Sequence, residues 1–298
     1  MKREQGNESV YPLDHPCRLF VYLAREAPIG VVLRRGPSDW VRLSRWRTDT
    51  DEIEHGQCMR ARVFERRSDL STDGSLFLAF VRGAAGPSQG NADSWAAISR
   101  PPYFTALAVW FVGGTYYTGG YFPERRTLWL GWGSPQPDQG RVPKWLRLTP
   151  KRPPYIDGTG DWTDRTVWIN RLLRDGWIRR EGAEPEQWQR RSPAGDFTLV
   201  MTILANTEFA AYGGRYVLDY LVREGPDGAE TGLGLATWAD FDQGGRLIVA
   251  RDGCLSRWLG GDRYAVIADF NDQRPDPQPA PGWATDWPRG PGRRRTGN

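Results

Sequence analysis

Short apolar runs, each bounded by glycine or aspartate, recur along the chain, and the clearest group lies between Trp238 and Trp258. Its central run, residues 246–250, is rich in branched apolar side chains, with a Gly-Gly pair before it and an Asp-Gly pair shortly after it. Glycine tolerates the positive φ that tight turns require, and Asp-Gly between two extended segments is a strong hairpin signal. A run this short suits a strand better than a helix. The stretch is therefore predicted to form a meander of three strands.

The same pattern predicts strands elsewhere in the chain, at residues 18–24, 29–34, 40–46, 60–66, 76–80, 105–112, 198–205 and 215–223. Residues 164–175 instead carry apolar side chains at helical spacing. Asp164 is placed to cap the first turn of this helix, and Gly176 is placed to end it. We expect the helix to pack on the surface of a sheet.

A turn followed by an apolar strand occurs four times. Aligning the four copies on Gly74, Arg125, Gly195 and Gly245 gives steps of 51, 70 and 50 residues, and the copy at Arg125 lacks the glycine. Strand repeats of roughly 40–50 residues are typical of propeller blades. The long step contains the Pro-rich residues 151–154 and the predicted helix, which account for its extra length.

These turn-and-strand copies resemble those of bacterial β-propeller repeats of the TolB, NHL and WD40-like kinds, although the sequence has no Gly-His…Trp-Asp signature. The resemblance implies radial sheets around a channel and a binding surface at one end, and it brings no catalytic residue with it. We therefore expect an all-β, β-propeller-like domain over residues 17–273, with about five blades of antiparallel strands and one short helix insertion.

The two ends of the chain are expected to lie outside this domain. Residues 1–16 are polar and are predicted to form a disordered leader. Residues 274–298 form a tail rich in Pro, Gly and Arg, which cannot continue as a helix or as a central strand. Trp283 and Trp287 are placed to attach part of this tail to the body.

The composition narrows the class of protein. The chain of 298 residues is 39% hydrophobic and 12% aromatic and contains 15 Trp, which indicates a folded globule rather than a disordered chain. Its 40 basic residues are mixed with 36 acidic ones, for a formal charge of +4, whereas nucleic-acid binders concentrate basic residues in a patch. Nucleic acid is therefore not an expected partner, and the three arginines at 293–295 are interpreted as a solvated end.

Cysteine usage and hydropathy bear on compartment and cofactors. Cys17, Cys58 and Cys254 lie far apart and form no CxxC motif, so neither a disulfide framework nor a zinc site is expected. No window approaches ~20 apolar residues, and the first residues lack an apolar signal core. We expect a cytoplasmic protein with no membrane contact, no metal and no other cofactor.

Histidine-based catalysis has little support because the chain holds only two histidines, of which His55 lies in the acidic segment 49–56 and is interpreted as a surface side chain. Paired carboxylates offer another route, since glycoside hydrolases use two carboxyl groups ~5–9.5 Å apart. Asp240 and Asp242 share one face of a predicted strand, and Asp269 is placed to approach from the next strand. Alternatively, Asp240 and Asp242 form turns by bonding the local backbone.

Two functions follow as hypotheses from these patterns. The favoured one is a non-enzymatic binding or scaffold module that docks a protein partner through the loop-bearing end of a propeller, with loops at 83–94 and 134–163. Its candidate binding residues are Trp46, Tyr103, Trp132, Trp162 and Trp238. The alternative is a glycan-active hydrolase with Asp240, Asp242 and Asp269 at the channel mouth. The many tryptophans are also explained by packing between blades.

Overall fold

Alternating strands and tight turns dominate the chain. The computed structural model describes residues 17–36, 40–83, 93–115, 117–133, 136–156, 164–205, 216–225 and 228–290. Over these residues the protein is all-β, with its strands in five sheets and a single helix longer than one turn. The predicted all-β class and the short helix insertion are confirmed. The predicted leader at 1–16 lies outside the described residues.

The first two sheets come from the first half of the chain. The first sheet is an antiparallel meander of β1 (Arg18–Leu23), β2 (Ile29–Arg35), β3 (Trp40–Arg47) and β4 (Ile53–Arg60). The second sheet contains β5 (Arg62–Val63), β6 (Asp69–Leu70), β7 (Phe77–Arg82), β8 (Ser94–Ser99) and β9 (Ala106–Phe111), and both β5 and β6 pair with β7.

The third sheet is small and includes a parallel pair. It starts with the hairpin β10 (Gly120–Glu124) and β11 (Thr127–Leu130). The chain then returns to the second sheet as β12 (Gln139–Gly140), which pairs with β9. Strand β13 (Arg147–Thr149) completes the third sheet by running parallel to β11. Helix α1 (Arg165–Arg174) follows.

The last two sheets are antiparallel throughout. The fourth contains β14 (Ile178–Arg180), β15 (Gln187–Arg191), β16 (Phe197–Ala205), β17 (Tyr216–Glu224) and β18 (Glu230–Leu235). The fifth is a meander of β19 (Trp238–Phe241), β20 (Leu247–Arg251), β21 (Cys254–Trp258) and β22 (Tyr264–Asp269). The predicted meander between Trp238 and Trp258 is confirmed, and β22 extends it by one strand. The single turn α2 (Gly282–Thr285) lies in the tail.

Strand β4 corrects two sequence predictions. The segment around His55 was expected to be a loop and is part of β4, although the His55 side chain is exposed as expected of a surface histidine. The strand expected at 60–66 is reduced to the two residues of β5. Asp51 takes a φ of 61° and reverses the chain after β3, so that the polar residues which follow can pair with the free edge of β3. The hydrogen bonds and packing that this segment gains along β3 favour a strand more than its polar composition disfavours one.

Three of the repeated turns share one hydrogen-bond pattern. The amides of Gly74, Gly195 and Gly245 each donate to the carbonyl three residues earlier, at 2.8, 2.9 and 3.0 Å. Their φ angles are 72°, 82° and 80°, in the left-handed region that favours glycine. The copy without glycine is the turn between β10 and β11. All four predicted turn-and-strand segments are therefore hairpin turns followed by strands.

These turns lie at one end of the molecule, which we call the short-turn end and define by the turns at 24–28, 71–76, 125–126, 192–196 and 242–246. The amide of Glu26 donates to the Thr72 carbonyl at 2.7 Å, and Arg125 Nε lies 3.5 Å from a carboxylate oxygen of Glu26. Gln243 Nε2 donates to the Ile29 carbonyl at 3.0 Å, which joins the fifth sheet to the first.

The longer connections leave the opposite end, because successive connections of an antiparallel sheet alternate between its two ends. We call this the long-connection end and define it by the described residues that flank these connections, at 82–83, 93–94, 112–115, 117–119, 131–133 and 150–156. The pairing of Trp95 with Phe111 and of Gly120 with Leu130 brings the flanks of these connections to the same end.

The apolar core consists of clusters shared between neighbouring sheets. Leu33 of the first sheet packs in one cluster with Phe77 of the second, and Phe80 of the second packs in another with Leu128 of the third. Helix α1 contacts both the third and the fourth sheets, and the fourth shares its cluster with the fifth. Leu19 of the first sheet packs in a cluster with Ile248 of the fifth, so the sequence of contacts returns to its start.

The tail at 273–290, which we call the strap, contacts the first sheet and the connections between β8 and β9 and between β12 and β13. The side-chain amide of Gln57 on β4 donates to the Gln278 carbonyl at 2.9 Å. Trp283 packs edge-on against Tyr103 with ring centroids 5.4 Å apart, and Trp287 packs against Trp145 at 6.0 Å. The two tryptophans thus attach the tail to the body.

Two glycines with similar backbone angles should differ in their tolerance of alanine. Gly195 has open space where a Cβ would stand, so Gly195→Ala should cost only the left-handed strain of about 1–2 kcal/mol. A Cβ on Gly119 would lie 2.2 Å from the Arg67 carbonyl oxygen, so Gly119→Ala should cost about 1–3 kcal/mol more. Urea unfolding of both variants measures the difference, and equal losses would contradict this packing.

Candidate functional site

A cavity of about 330 Å³ lies where the first, second, fourth and fifth sheets meet helix α1. Strands β1 and β19 form much of its wall, and Asp69 of β6 also belongs to its lining. Its exposed lining residues Arg25, Pro193 and Gln243 belong to turns of the short-turn end. The cavity therefore opens at that end.

Helix α1 forms one side of the cavity and is buried, contrary to the expectation of a surface helix. Val167 is fully buried and Trp168 is 7% exposed. The predicted cap is also wrong, because the Asp164 side chain bonds no amide of the helix and instead accepts from Arg67 Nε at 2.5 Å. Gly176 ends the helix with a φ of 89°, as predicted. The helical spacing of the apolar residues was correctly identified, but these residues pack against both the third and the fourth sheets.

Arg174, near the end of α1, joins the helix to the second and third sheets. It forms a buried ion pair with Asp69, and its guanidinium donates to the Phe122 carbonyl at 3.0 Å. It also binds Asp175, with Nε and Oδ1 2.8 Å apart. Burial alone would lower the pKa of Arg174, but the carboxylates of Asp175 and Asp69 raise it above its ordinary value. The guanidinium is therefore permanently charged.

Arg171, one turn earlier, faces the other oxygen of Asp69. Its Nε lies 3.3 Å from Asp69 Oδ1, but the geometry is not that of a hydrogen bond. Within the described residues both atoms are buried without a hydrogen-bond partner. Arg171 Nη1 donates to the carbonyls of Glu65 and Ser68 at 3.0 and 2.8 Å, and these bonds fix the side chain.

Asp240 is the buried carboxylate on the fifth-sheet side of the cavity. Its Oδ1 accepts from Arg190 at 2.5 Å and from the Phe241 amide at 2.8 Å, and its Oδ2 accepts from the Trp177 indole at 3.2 Å. Burial raises the pKa of the Asp240 carboxyl, although Arg190 and the other donors act in the opposite direction. Both carboxylate oxygens are thus occupied by donors of the protein.

Asp242 also lines the cavity, but it bonds its own turn, as the alternative interpretation predicted. Its Oδ1 accepts from the amides of Gly244 and Arg246, both at 2.9 Å, and its Oδ2 accepts from Arg246 Nε at 2.7 Å. Asp269 is exposed on β22, accepts from the Asn271 amide at 2.8 Å, and is not part of the cavity lining. The structure therefore brings together two of the three proposed carboxylates.

The predicted aromatic binding residues occupy separate places. Trp238 lines the cavity. Trp46 is fully buried between the first and fifth sheets, where its indole donates to Asp51 at 3.2 Å. Tyr103 packs under the strap, and Trp132 packs against another tryptophan with ring centroids 6.4 Å apart. Trp162 lies outside the described residues.

His55 on β4 lies outside the cavity lining, and its Nδ1 is 3.0 Å from Ser44 Oγ. Burial and the nearby Arg42 guanidinium lower the pKa of His55, which favours the neutral imidazole. Across the described part of the chain, no group of three or more His, Cys, Asp or Glu side chains is arranged to hold a metal ion. Over the same residues no helix has the length and apolarity needed to span a membrane.

Sequence reasoning missed Asp69, Arg174 and Arg190, which form the ion pairs of the cavity. A signal for the helix was present, because Val167, Arg171 and Arg174 fall at i, i+4 and i+7 and so share one face. Arginines on the apolar face of a helix require buried carboxylate partners. The sequence does not indicate which carboxylates these are.

No family model matches the chain, and no curated protein matches it. Among solved structures the chain is similar to tricorn protease, with 12% identity and a TM-score of 0.24, over 86% of this chain and 26% of that one. It therefore spans about a quarter of that chain. It is also similar to the uncharacterized protein lmo1340 from Listeria monocytogenes EGD-e, with 10% identity and a TM-score of 0.27, over 91% and 88% of the two chains.

These TM-scores are too low to carry an argument about fold or function, and no match confirms the resemblance to TolB, NHL or WD40-like repeats. The class that the structure itself defines is an all-β protein of five sheets with one inserted helix.

The ion pair of Asp240 gives a test of the site. Arg190→Gln should leave the carboxylate buried without its cation and cost about 3–5 kcal/mol of unfolding free energy. Arg223→Gln is the matched control on the same sheet, because Arg223 binds the half-exposed Glu230 and the loss should be at most about 1 kcal/mol. Urea unfolding at neutral pH compares the two, and similar losses would show that the Asp240 pair is not buried.

The cost of Arg190→Gln should also depend on pH. Without the guanidinium the raised pKa of Asp240 rises further, because burial is then opposed by fewer donors. A group with a raised folded-state pKa contributes stability below its ordinary pKa of 3.8, and that stability is lost as the pH rises through the raised value. The loss of unfolding free energy in Arg190→Gln, relative to the wild type, should therefore shrink from pH 7 towards pH 4. A constant deficit across this range would contradict the assignment.

Proposed function

We propose that the five sheets are the blades of a propeller-like ring and that the cavity is part of its central channel. Three observations support this arrangement. The repeated hairpin turns share one bonding pattern, their turns gather at one end, and the first sheet packs against the fifth. In propellers a ring closed by its first and last blades leaves only short, protected sheet edges.

We further propose that the protein is a non-enzymatic binding module that docks a protein partner through the long-connection end. The observation that carries this proposal is that longer connections of the second and third sheets leave this end, together with one tight turn at 252–253. Loops that project from a rigid scaffold are where binding residues concentrate. The described flanks of the expected loops at 83–94 and 134–163, at residues 83, 93–94 and 150–156, belong to this end.

Two exposed apolar side chains on this end favour docking. Tyr117 is 42% exposed in the connection between β9 and β10, and Ile156 is 37% exposed in the connection that leads to α1. Exposed tyrosine and isoleucine side chains gain free energy when a partner removes them from water, and aromatic residues are enriched at such interfaces. We propose that they form part of the docking surface.

The hydrolase alternative has weaker support from the same geometry. A general acid or nucleophile needs a carboxylate oxygen that can reach the substrate. Both oxygens of Asp240 and both oxygens of Asp242 accept hydrogen bonds from the protein itself, and Asp269 does not line the cavity. A glycoside screen with the wild type and Asp240→Asn addresses this route, and activity that Asp240→Asn abolishes would reverse our preference.

The docking proposal predicts a selective loss of partner binding. The double variant Tyr117→Ala/Ile156→Ala should reduce capture of a stoichiometric protein partner from a lysate of the source cells by about tenfold or more, as for loss of interface anchors. Leu259→Ala is the matched control, because Leu259 is 39% exposed near the opposite end. Quantitative affinity capture makes the comparison. Equal losses in both variants, or no stoichiometric partner with the wild type, would refute the proposal.

A further inference from the structure

The strap is held on the body in the way that a peptide ligand is held. Residues 273–281 belong to no helix or strand, and the single turn at Gly282–Thr285 follows them. The strap pairs with no strand of the five sheets, so side chains of the body hold it in place. Pro-rich segments that dock in this manner on aromatic side chains are a recurring form of peptide recognition.

The surface beneath the strap lies on three separate parts of the chain. We call it the strap groove and define it by five side chains of β3, β4 and the connections that follow β8 and β12, which are Arg45, Gln57, Arg100, Tyr103 and Trp145. All five are partly exposed even with the strap in place. The strap groove therefore lies at the surface, where a second polypeptide can reach it once the strap leaves.

The polar side chains of the strap groove bind the backbone of the strap. Gln57 Nε2 donates to the Gln278 carbonyl at 2.9 Å. Arg100 Nη1 donates to the carbonyls of Trp283 and Asp286, and the second of these bonds measures 3.2 Å. Every residue has a main-chain carbonyl, so these bonds position an extended segment without selecting its side chains.

Selection by side chain comes from two tryptophans four residues apart. Trp283 packs edge-on against Tyr103, and the Arg100 guanidinium lies 4.8 Å from the centroid of its ring. Trp287 packs edge-on against Trp145 and against the core cluster of the second and third sheets. Large aromatic side chains of this kind are the anchors that dominate binding between polypeptides.

A short exposed connector joins these anchors to the body. Upstream of it Phe270 is fully buried, and Arg42 Nη1 donates to the Gln273 side chain at 3.3 Å. Residues 274–277 are all exposed, and the prolines at 275 and 277 restrict their conformations. A ligand tethered by a short linker acts at an effective concentration on the order of millimolar. Modest intrinsic affinity is therefore enough to keep the strap groove filled by the chain's own tail.

From these features we infer that the strap groove is a peptide-binding site and that the strap is its tethered competitor. The ligand from outside is a Pro-rich segment of another protein that carries two tryptophans four residues apart, because the segment seated there has this chemistry. The inference does not rest on the docking proposal, since the strap groove includes neither Tyr117 nor Ile156. Peptide binding and partner capture can therefore fail independently.

Fluorescence anisotropy of the full chain with a labelled peptide of residues 277–290 tests the inference. Trp283→Ser/Trp287→Ser removes both anchors from the chain's own strap, so this variant should bind the peptide in the micromolar range. The wild type should bind it about tenfold to a hundredfold more weakly, because its tethered strap competes. Arg274→Ala, in the exposed connector, is the matched control and should behave like the wild type. No binding to the double variant, or equal binding to the wild type, would overturn the inference.

Further changes locate the bound peptide. A peptide with alanine in place of both tryptophans should bind about tenfold more weakly or worse. Tyr103→Ala, added to the double variant, should also weaken binding by about tenfold, whereas Val266→Ala, at an exposed side chain of β22, should not. Circular dichroism verifies folding, and Trp283→Ser alone replaces the double variant if that one does not fold. Equal binding with Tyr103→Ala and Val266→Ala would contradict the assigned site.

Discussion

The architecture depends on the burial of the Asp69 carboxylate between the guanidinium groups of α1. Asp69 is fully buried on β6 and forms an ion pair with Arg174. Arg174 also pairs with Asp175 and donates a hydrogen bond to the Phe122 carbonyl. A buried carboxylate is tolerated only with its cation in place, and removal of one partner costs far more than the pair contributes. This requirement fixes α1 against the second and third sheets. The helix then bridges the gap in the chain between the third and fourth sheets and closes one side of the cavity.

Packing of the first sheet against the fifth is the second constraint. The cluster that joins the first and fifth sheets pairs Leu19 and Val21 with Ile248 and Leu255, more than two hundred residues away in sequence. The Thr237 hydroxyl adds a hydrogen bond of 2.6 Å to the Leu19 carbonyl. Contacts of such sequence separation are slow to form, because the entropy of closing the loop is lost before the contact is gained. These contacts between the first and fifth sheets are therefore expected to form late in folding.

Local features were predictable from the sequence, and long-range partners were not. The turns at Gly74, Gly195 and Gly245 follow from glycine's backbone freedom, and the meander after Trp238 follows from its alternation of turns and branched apolar residues. The sequence showed Asp240 as a candidate carboxylate, but Arg190, its partner, lies 50 residues earlier. Likewise nothing local to His55 indicates that β3 would present a free edge. The burial of α1 was missed for the same reason. The apolar residues along one face of the helix show that it packs against something, but not that it packs against two sheets.

The strap also affects how copies of the protein meet. An uncovered edge strand offers unpaired backbone groups to another chain, and proteins commonly shield such edges. Gln57 on β4, the edge strand of the first sheet, is held by the Gln278 carbonyl, so the strap shields that edge. Strand β22 forms an edge of the fifth sheet, and its Val266 is 65% exposed. The strap therefore makes β4 less accessible to strand addition by a second copy of the chain than β22 is.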